Sequence, residues 1–245
     1  MQTIDRAMQV TKALANSPDK MWLSITDLSK ECDLPASTMH RLLQAMKKHG
    51  LVQQDPDSKL YSLGNTWLEY GLQLYDSFDF VNLIRPEMER LMIEVEESIY
   101  YSKCIGLESI IVERIDCPTN PIRINDQLGI RIPMNIGAAN KAMLAYMPKE
   151  EMQKIVQAII AEEEKQKFLN VLQQTRTQGY GFSNGERTEG TSSVAAPIFN
   201  QWNDLIGAIS IGYVNFNLTQ ERQDYLIKKV IETAKHISVK LGSRR

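Results

Sequence analysis

The chain has 245 residues, 43% of them hydrophobic, which is more than one domain of typical size needs, so two modest domains are expected. The formal net charge is only −2, so no strongly basic or acidic balance indicates nucleic acid, an anionic membrane or an acidic substrate, and any contact with DNA must be local. The three cysteines form no Cys-x-x-Cys pair, and no apolar run reaches a membrane span or an export signal. A cytoplasmic protein with reduced thiols is therefore predicted.

The first 33 residues predict two helices with a short strand between them. Apolar periodicity predicts a helix over 2–16, a short strand at 22–23 and a second helix from Ile25 to about Cys32. Ser24 and Asp27 stand at capping-box spacing at the start of that second helix.

A third helix follows, with Pro35 in its first turn. Its core side is predicted to be the stripe of Met39, Leu42, Leu43 and Met46. The opposite side carries Ser37, Arg41, Gln44 and Lys48, with Thr38, His40 and Lys47 beside them. No Asp or Glu lies between Pro35 and Val52. This helix therefore aligns hydrogen-bond donors and positive charge on one side.

The stretch LVQQDPDSKLYSLG then predicts two short strands joined by a turn at 55–58, after a helix end at Gly50. Three helices and a hairpin make a winged helix-turn-helix, which places its second motif helix in the major groove. Arg41 and Gln44 are predicted to read base edges, and the hydroxyls, lysines and backbone N–H groups to hold phosphates. Lys59 and Tyr61 are the candidate contacts of the wing. The alternative is that the basic side of the helix is simply solvated.

Residues 65–97 show a helical pattern with more apolar surface than a solvated rod would carry. Packing against the protein's own domains is one explanation, and pairing with a second chain is the other. A symmetric dimer would suit the reading of palindromic half-sites.

From Ile99 onward the pattern changes to strands. They are predicted at 99–105, 109–115, near Arg123, and at 129–133, 179–183, 191–199 and 205–214, with helices at 137–147, 149–160, 162–178 and from Thr219. This order predicts an antiparallel α+β domain.

Two late strands carry one face of very small side chains. Period-two alternation places Thr191, Ser193, Ala195 and Pro197 on one face, and Ala208, Ser210 and Gly212 on one face of the next strand. Such a surface either lets a helix approach closely or leaves a hollow for a polar small molecule. Beside it, the helix of GAANKAMLAYM offers unshielded N–H groups near Gly137, Ala138 and Ala139, a site suited to a carboxylate.

The run SITDLSKECDLPASTMHRLLQAMKKHGLVQQDPDSKLYSLG resembles the DNA-binding domain of IclR-type bacterial transcriptional regulators, and the second half resembles the effector domain of that family. The residues that carry the resemblance are Leu34, Pro35, Ser37, Thr38, Arg41, Leu42, Leu43, Tyr61, Leu63 and Gly64. The resemblance implies a winged helix-turn-helix domain (1–64), a linker helix (65–80) and a GAF-like α+β effector-binding domain with an antiparallel sheet (81–245). It also implies a homodimer or homotetramer.

The resemblance further implies a site for a small organic acid or sugar acid. Its positions in this sequence are Ala138 and Ala139 for backbone donors, Ser183, Ser193, Ser210 and Gly212 on the sheet side, and Met134 and Asn135 at the rim. Glu186 either supports the ligand or is an exposed hairpin glutamate. The chain departs from the family where it has Asn135 for the usual His, Asn140 for the usual Gly, and Ser183 for a frequent acidic residue.

The function predicted from the sequence is that of a non-enzymatic regulator, most simply a repressor, which binds a double-stranded DNA operator under the control of an effector. No nucleophile elbow, phosphate-binding loop or metalloprotease motif is present, and no cofactor, catalytic residue or metal ligand is predicted. Cys104 and Cys117 fit buried inert thiols better than metal ligands. The alternative function is a small-molecule sensor whose winged helix binds a protein instead of DNA.

Overall fold

A computed structural model describes residues 2–16, 22–76, 79–119, 127–216 and 218–244, without the side chains of Gln2 and residues 79–81. The chain forms two compact units, Met1–Phe78 and Asp79–Arg245. Within the described ranges, no helix is both long enough and apolar enough to cross a bilayer.

The first unit is helical with one small hairpin. Its elements are α1 (Gln2–Ala15), α2 (Ile25–Glu31), α3 (Ala36–Lys48), β1 (Val52–Gln54), β2 (Tyr61–Leu63) and α4 (Asn65–Asp76). The predicted stripe of α3 is buried with Val10 of α1 and Leu28 of α2. The predicted capping box is also confirmed, because the Ser24 hydroxyl accepts a hydrogen bond from the Asp27 N–H at 3.1 Å while the Asp27 carboxylate accepts one from the Ser24 backbone.

The predicted strand at 22–23 is wrong. Only a single bridge forms there, in which the N–H groups of Leu23 and Tyr61 each donate to the other residue's carbonyl, at 2.9 and 2.8 Å. The next residue, Ser24, already caps α2, so the chain has no length left for a strand. The hairpin itself is antiparallel, with Val52 opposite Leu63.

Gly64 closes the wing against the end of α3. Its N–H donates to the Leu51 carbonyl at 3.0 Å, and a Cβ at this position would lie 1.9 Å from the Gly50 carbonyl oxygen. Directly after it, α4 is tied to the same turn, since the Trp67 indole N–H donates to the Leu51 carbonyl at 2.8 Å and the Thr66 hydroxyl donates to the His49 carbonyl at 3.1 Å. The glycine of the Tyr-x-Leu-Gly pattern is thus required by a backbone contact.

The helical pattern predicted over 65–97 is divided between two helices, α4 and α5 (Asp79–Val95), and residues 77–78 lie outside the described ranges. α5 ends at Val95 because Glu96 adopts a left-handed backbone with a φ of 53°.

In its described residues the second unit contains α5, a six-stranded antiparallel sheet and four further helices, in accordance with the predicted α+β class. The strands are β3 (Ser98–Ile105), β4 (Glu108–Ile115), β5 (Arg131–Pro133), β6 (Gly181–Asn184), β7 (Thr191–Phe199) and β8 (Leu205–Val214), in the order β5-β4-β3-β8-β7-β6. The helices are α6 (Ala138–Tyr146), α7 (Lys149–Ile159), α8 (Glu162–Gln178) and α9 (Gln220–Lys240). The strand predicted near Arg123 lies outside the described residues.

Each face of the sheet has its own hydrophobic core. On one face α5 and α9 pack over the large side chains of the central strands, among them Ile99, Ile209 and Ile211. On the other face α6, backed by α7 and α8, packs over Ala195 and Ala208. This second face holds the smaller side chains and is the one on which a cavity lies.

We expect Gly64→Ala to lower the free energy of unfolding of the first unit by about 1 to 3 kcal/mol, because the added methyl group would overlap the Gly50 carbonyl. Urea denaturation of the full chain, followed by tryptophan fluorescence, measures the change. Gly71→Ala is the matched control: a Cβ there meets nothing within 4 Å, so the variant should be neutral or more stable by up to about 1 kcal/mol. Equal destabilisation of both variants would contradict the proposed cause.

Candidate functional site

The outer side of α3 is an exposed surface of donors. Ser37, His40, Arg41, Gln44, Lys47 and Lys48 are exposed, and Thr38 is half-buried. The apolar stripe on the opposite side is buried in the first unit, so the polar side is the one left to approach a ligand. The structure therefore brings all seven predicted residues of this helix onto one accessible side.

The N-terminus of α3 adds backbone donors to this side, as predicted from the sequence. Its N-cap is Pro35, no side chain caps the helix, and the first turn has no acidic residue. The first N–H groups of such a helix have no partner within the helix, and they attract anions such as a DNA phosphate.

The wing supports one of its two predicted contacts. Lys59 is exposed at the turn, but Tyr61 is only 3% exposed and packs in the core, so its predicted contact is wrong. The period of two along β2 turns Tyr61 inward. The Asp55 carboxylate accepts hydrogen bonds from Ser58, which hold its pKa below the ordinary value, so this acid is a structural part of the turn. Lys47 also donates to Gln54 at 3.3 Å, linking α3 to the wing.

A cavity of about 80 Å³ lies where the start of α6 meets the sheet. Its lining includes a group of residues that carry hydroxyls: Tyr100, Ser102, Ser109, Ser183, Thr191, Ser192, Ser193 and Ser210. Register explains the grouping, since Ser193 of β7 stands opposite both Ser183 of β6 and Gly212 of β8. Ala138 and Ala139 line the same cavity from the helix side. Six predicted residues are thus brought together.

The strand face of small residues serves in one part for close packing of a helix and in another part as the wall of a cavity, so both interpretations of this face apply. At Ala195 and Ala208 the face packs against α6, as helix packing predicts. Toward Ser193 and Gly212 the same face lines the cavity. The helix approaches so closely that a Cβ on Gly181 would lie 2.2 Å from the Ala138 carbonyl oxygen.

Glu186 already occupies part of the helix start. Its carboxylate accepts a hydrogen bond from the Gly137 N–H at 2.8 Å and a second one from the Lys141 ammonium, which also donates to the Phe182 carbonyl at 2.9 Å. Glu186 is therefore more than an exposed hairpin glutamate. Sequence reasoning missed Lys141, although a lysine in an otherwise small and apolar helical turn was a signal of a buried ion pair.

Two predicted rim residues lie elsewhere. Met134 is 0% exposed and packs in the core under α6, with its N–H bound to the Leu107 carbonyl at 3.0 Å, so its rim position is wrong. Asn135 lines a neighbouring cavity beside Lys141 and Phe168. The side chain of a residue just after a short strand points toward one face of the sheet or the other, and a shift of one residue in the strand register reverses that direction.

Asn140 is a further lining residue that was not among the predicted contacts. It is 2% exposed, and its side-chain nitrogen donates to the carbonyls of Pro133 and Ile136 at 2.9 and 2.8 Å. These bonds identify the nitrogen, and the side-chain oxygen has no hydrogen-bond partner among the described residues. An unpaired buried acceptor in the wall of a cavity favours a ligand that brings a donor.

The cysteines show no sign of chemical activation. Burial and the nearby Glu151 raise the pKa of Cys104 to about 11, and Cys117 is buried. In the part of the chain that the structure describes, no group of three or more His, Cys, Asp or Glu side chains could hold a metal ion.

Comparison with known proteins places the whole chain among bacterial regulators. Residues 72–239 match the model "Bacterial transcriptional regulator IclR C-terminal", and residues 3–56 match the "IclR helix-turn-helix domain". The transcriptional regulator KipR of Bacillus subtilis is 29% identical over 98% of this chain and 97% of its own. The transcriptional repressor IclR of Escherichia coli is 27% identical over 100% and 92%. An IclR homologue from Microbacterium hydrocarbonoxydans, solved with 4-hydroxybenzoate, superposes with a TM-score of 0.81 at 19% identity over 98% of both chains.

Proposed function

Because this chain belongs to the IclR family of bacterial transcriptional regulators and carries its helix-turn-helix domain, we propose that it represses transcription from a DNA operator and that a small organic acid or sugar acid alters its affinity for that operator. The relatives compared above are named as regulators, so the expectation of a non-enzymatic protein is confirmed. The name of the Escherichia coli relative supports repression, and action on a DNA operator supports a cytoplasmic location.

The DNA-binding roles rest on the acid-free, exposed side of α3. Arg41 and Gln44 read base edges in the major groove, because guanidinium and amide groups can pair with purine edges. Ser37, Thr38, His40, Lys47 and Lys48 position the helix on the backbone, together with Lys59 of the wing.

The effector-binding role rests on one observation: the cavity joins the start of α6 to the hydroxyl groups of five strands, β3, β4, β6, β7 and β8. The effector carboxylate accepts hydrogen bonds from the N–H groups of Ala138 and Ala139, which helix geometry leaves without partners. Ser183, Ser193 and Ser210 bind its oxygens, and Gly212 leaves room for it. The acid found with the Microbacterium structure supports this class of ligand. An effector that binds one of two conformational states more tightly typically contributes about 1 to 3 kcal/mol of coupling free energy between effector binding and DNA binding.

A homodimer, itself able to form a tetramer, accounts for the surface of α4. No residue of this fully described helix is buried, and Leu68 and Leu72 are 63% and 57% exposed. Leu68 and Leu72 share one apolar side of the helix, and Glu69 and Gln73 lie about 100° around the helix from them. A second copy of α4 would cover the side that carries Leu68 and Leu72. The second chain would also supply the second DNA-binding domain that a palindromic site requires.

We expect Arg41→Ala to weaken operator binding by about 5- to 150-fold and to relax preference at the contacted base pair, because a bidentate contact is lost. An operator fragment is first selected from genomic DNA with the purified protein, and affinities are then measured at two salt concentrations. Arg131→Ala, an exposed arginine of the second unit, is the control. Unchanged affinity in the Arg41 variant would remove it from the reading face, and binding insensitive to salt would favour a protein partner.

We expect Ser193→Leu to abolish the response to effector while leaving operator binding intact, because the larger side chain fills the cavity. Operator affinity is measured with and without the effector acid. Thr177→Leu, on an exposed side of α8, introduces the same side chain outside the cavity and should respond like the wild type. A normal response of the Ser193 variant would show that the cavity is wrongly assigned.

We expect Leu68→Glu to convert the dimer to a monomer, since it places a charge in an apolar interface. Sedimentation velocity at several concentrations measures the mass. Gln73→Glu adds the same charge to the polar side of α4 and should leave the mass unchanged. If both variants sediment like the wild type, α4 does not form the interface.

A further inference from the structure

One buried polar atom in the wall of the proposed effector cavity has no hydrogen-bond partner. Asn140 is 2% exposed and lines the cavity, and its side-chain oxygen is bonded to nothing among the described residues. This oxygen is also buried from solvent, so bulk water does not satisfy it. A buried acceptor without a donor costs free energy, and in a cavity wall it indicates a group that a ligand supplies.

The surrounding carbonyls decide which end of the Asn140 amide is the acceptor. The side-chain nitrogen donates to the carbonyls of Pro133 and Ile136 at 2.9 and 2.8 Å. A rotated amide would place its oxygen against these two carbonyl oxygens, which have no proton to offer. The nitrogen is therefore held by Pro133 and Ile136, and the oxygen is the atom left to meet a ligand.

The usual partner of an oxygen at this helix position is already occupied. Asn140 is the third residue of α6, and a side-chain oxygen there can accept from the N–H of the N-cap residue, as Asp27 does in α2. In α6 the N-cap is Gly137, and its N–H donates to the Glu186 carboxylate at 2.8 Å instead. Glu186 thus deprives Asn140 of its nearest internal donor.

The first turn of α6 therefore requires an acceptor and a donor on the same ligand. The N–H groups of Ala138 and Ala139 suit a carboxylate, and the oxygen of Asn140, the next residue, needs a donor. A hydroxyl beside the carboxylate supplies that donor without a charge. An ammonium would bring a positive charge to the positive end of the helix, and a keto group can only accept.

We propose that Asn140 selects an effector with a hydroxyl beside its carboxylate, so that the cavity binds a small 2-hydroxy acid more tightly than the corresponding 2-oxo acid. This inference rests on the effector site proposed above and names the class of acid. A cavity of about 80 Å³ is far below the roughly 300 to 1,000 Å³ of pockets for drug-sized ligands, so it suits a molecule of a few carbon atoms. Asn140 is a specificity-determining residue in this scheme.

The first experiment compares lactate, pyruvate and alanine by calorimetry on the full-length protein. The three acids share the carboxylate and the methyl group, and they carry a hydroxyl, a keto group and an ammonium at the carbon between them. We expect lactate to bind at least about tenfold more tightly than pyruvate, because pyruvate leaves the Asn140 oxygen unpaired and sets a second acceptor against it. Alanine should also bind at least about tenfold more weakly than lactate.

The second experiment repeats the lactate and pyruvate titrations on Asn140→Ala. Without the acceptor, the two acids should bind with affinities within about twofold of each other. Loss of the nitrogen's bonds to Pro133 and Ile136 would weaken both acids alike, so the ratio of affinities separates recognition from a structural role. Asn170→Ala makes the same truncation at an exposed position of α8 and should keep the wild-type ratio. The wild-type comparison tests the proposal even if the Asn140 variant does not fold.

The outcomes separate this inference from the effector function itself. Pyruvate binding to the wild type as tightly as lactate overturns the role of Asn140 and leaves an organic-acid effector standing. A wild-type ratio in Asn140→Ala overturns it in the same way. Alanine binding as tightly as lactate overturns the choice of a hydroxyl. Failure of all three acids to bind overturns the organic-acid effector and this inference together.

Discussion

The close approach of α6 to the sheet is the constraint on which the second unit depends. The helix can lie this near because Gly181, Ala195 and Ala208 present almost no side chain to it. The same approach brings the start of the helix beside Ser193 and Ser210, so hydroxyls and backbone amides converge on one small volume. Larger residues on these strands would move the helix away and separate the two halves of the cavity. The packing of α6 and the proposed binding of an effector thus depend on the same surface of the sheet.

Much of the fold follows from local patterns in the sequence. The stripe from Met39 to Met46 identifies the buried side of α3, and Ser24 with Asp27 marks the start of α2. Period-two alternation gives the late strands to within about two residues. The predictions of secondary structure fail where an adjacent segment of the chain determines the local structure. A strand at 22–23 fails because the cap of α2 follows immediately, and the long pattern after residue 65 could not show that it covers two helices.

The two candidate sites differ in how well sequence could define them. The DNA-binding side lies on one helix, so periodicity alone assigns Ser37, Arg41 and Gln44 to it. The cavity is assembled from segments far apart in sequence, and its key ion pair joins Lys141 to Glu186 across 45 residues. No local pattern pairs those two residues. Met134 was misplaced because the direction of a side chain beyond a short strand depends on register, which only the assembled sheet fixes.

The junction at Gly64 gives α4 a mechanical role. One residue separates β2 from α4, and the Trp67 and Thr66 hydrogen bonds hold the start of that helix to the turn that directly follows α3. These contacts join α4 to α3, the helix proposed to lie in the major groove, as one rigid lever. In a dimer paired through α4, each chain contributes one such lever. A change in the angle between the two levers would alter the distance between the two α3 helices and their rotational positions around the DNA double helix. The distance and rotation between the two α3 helices would then control operator affinity, without any change in the conformation of the residues proposed to contact DNA.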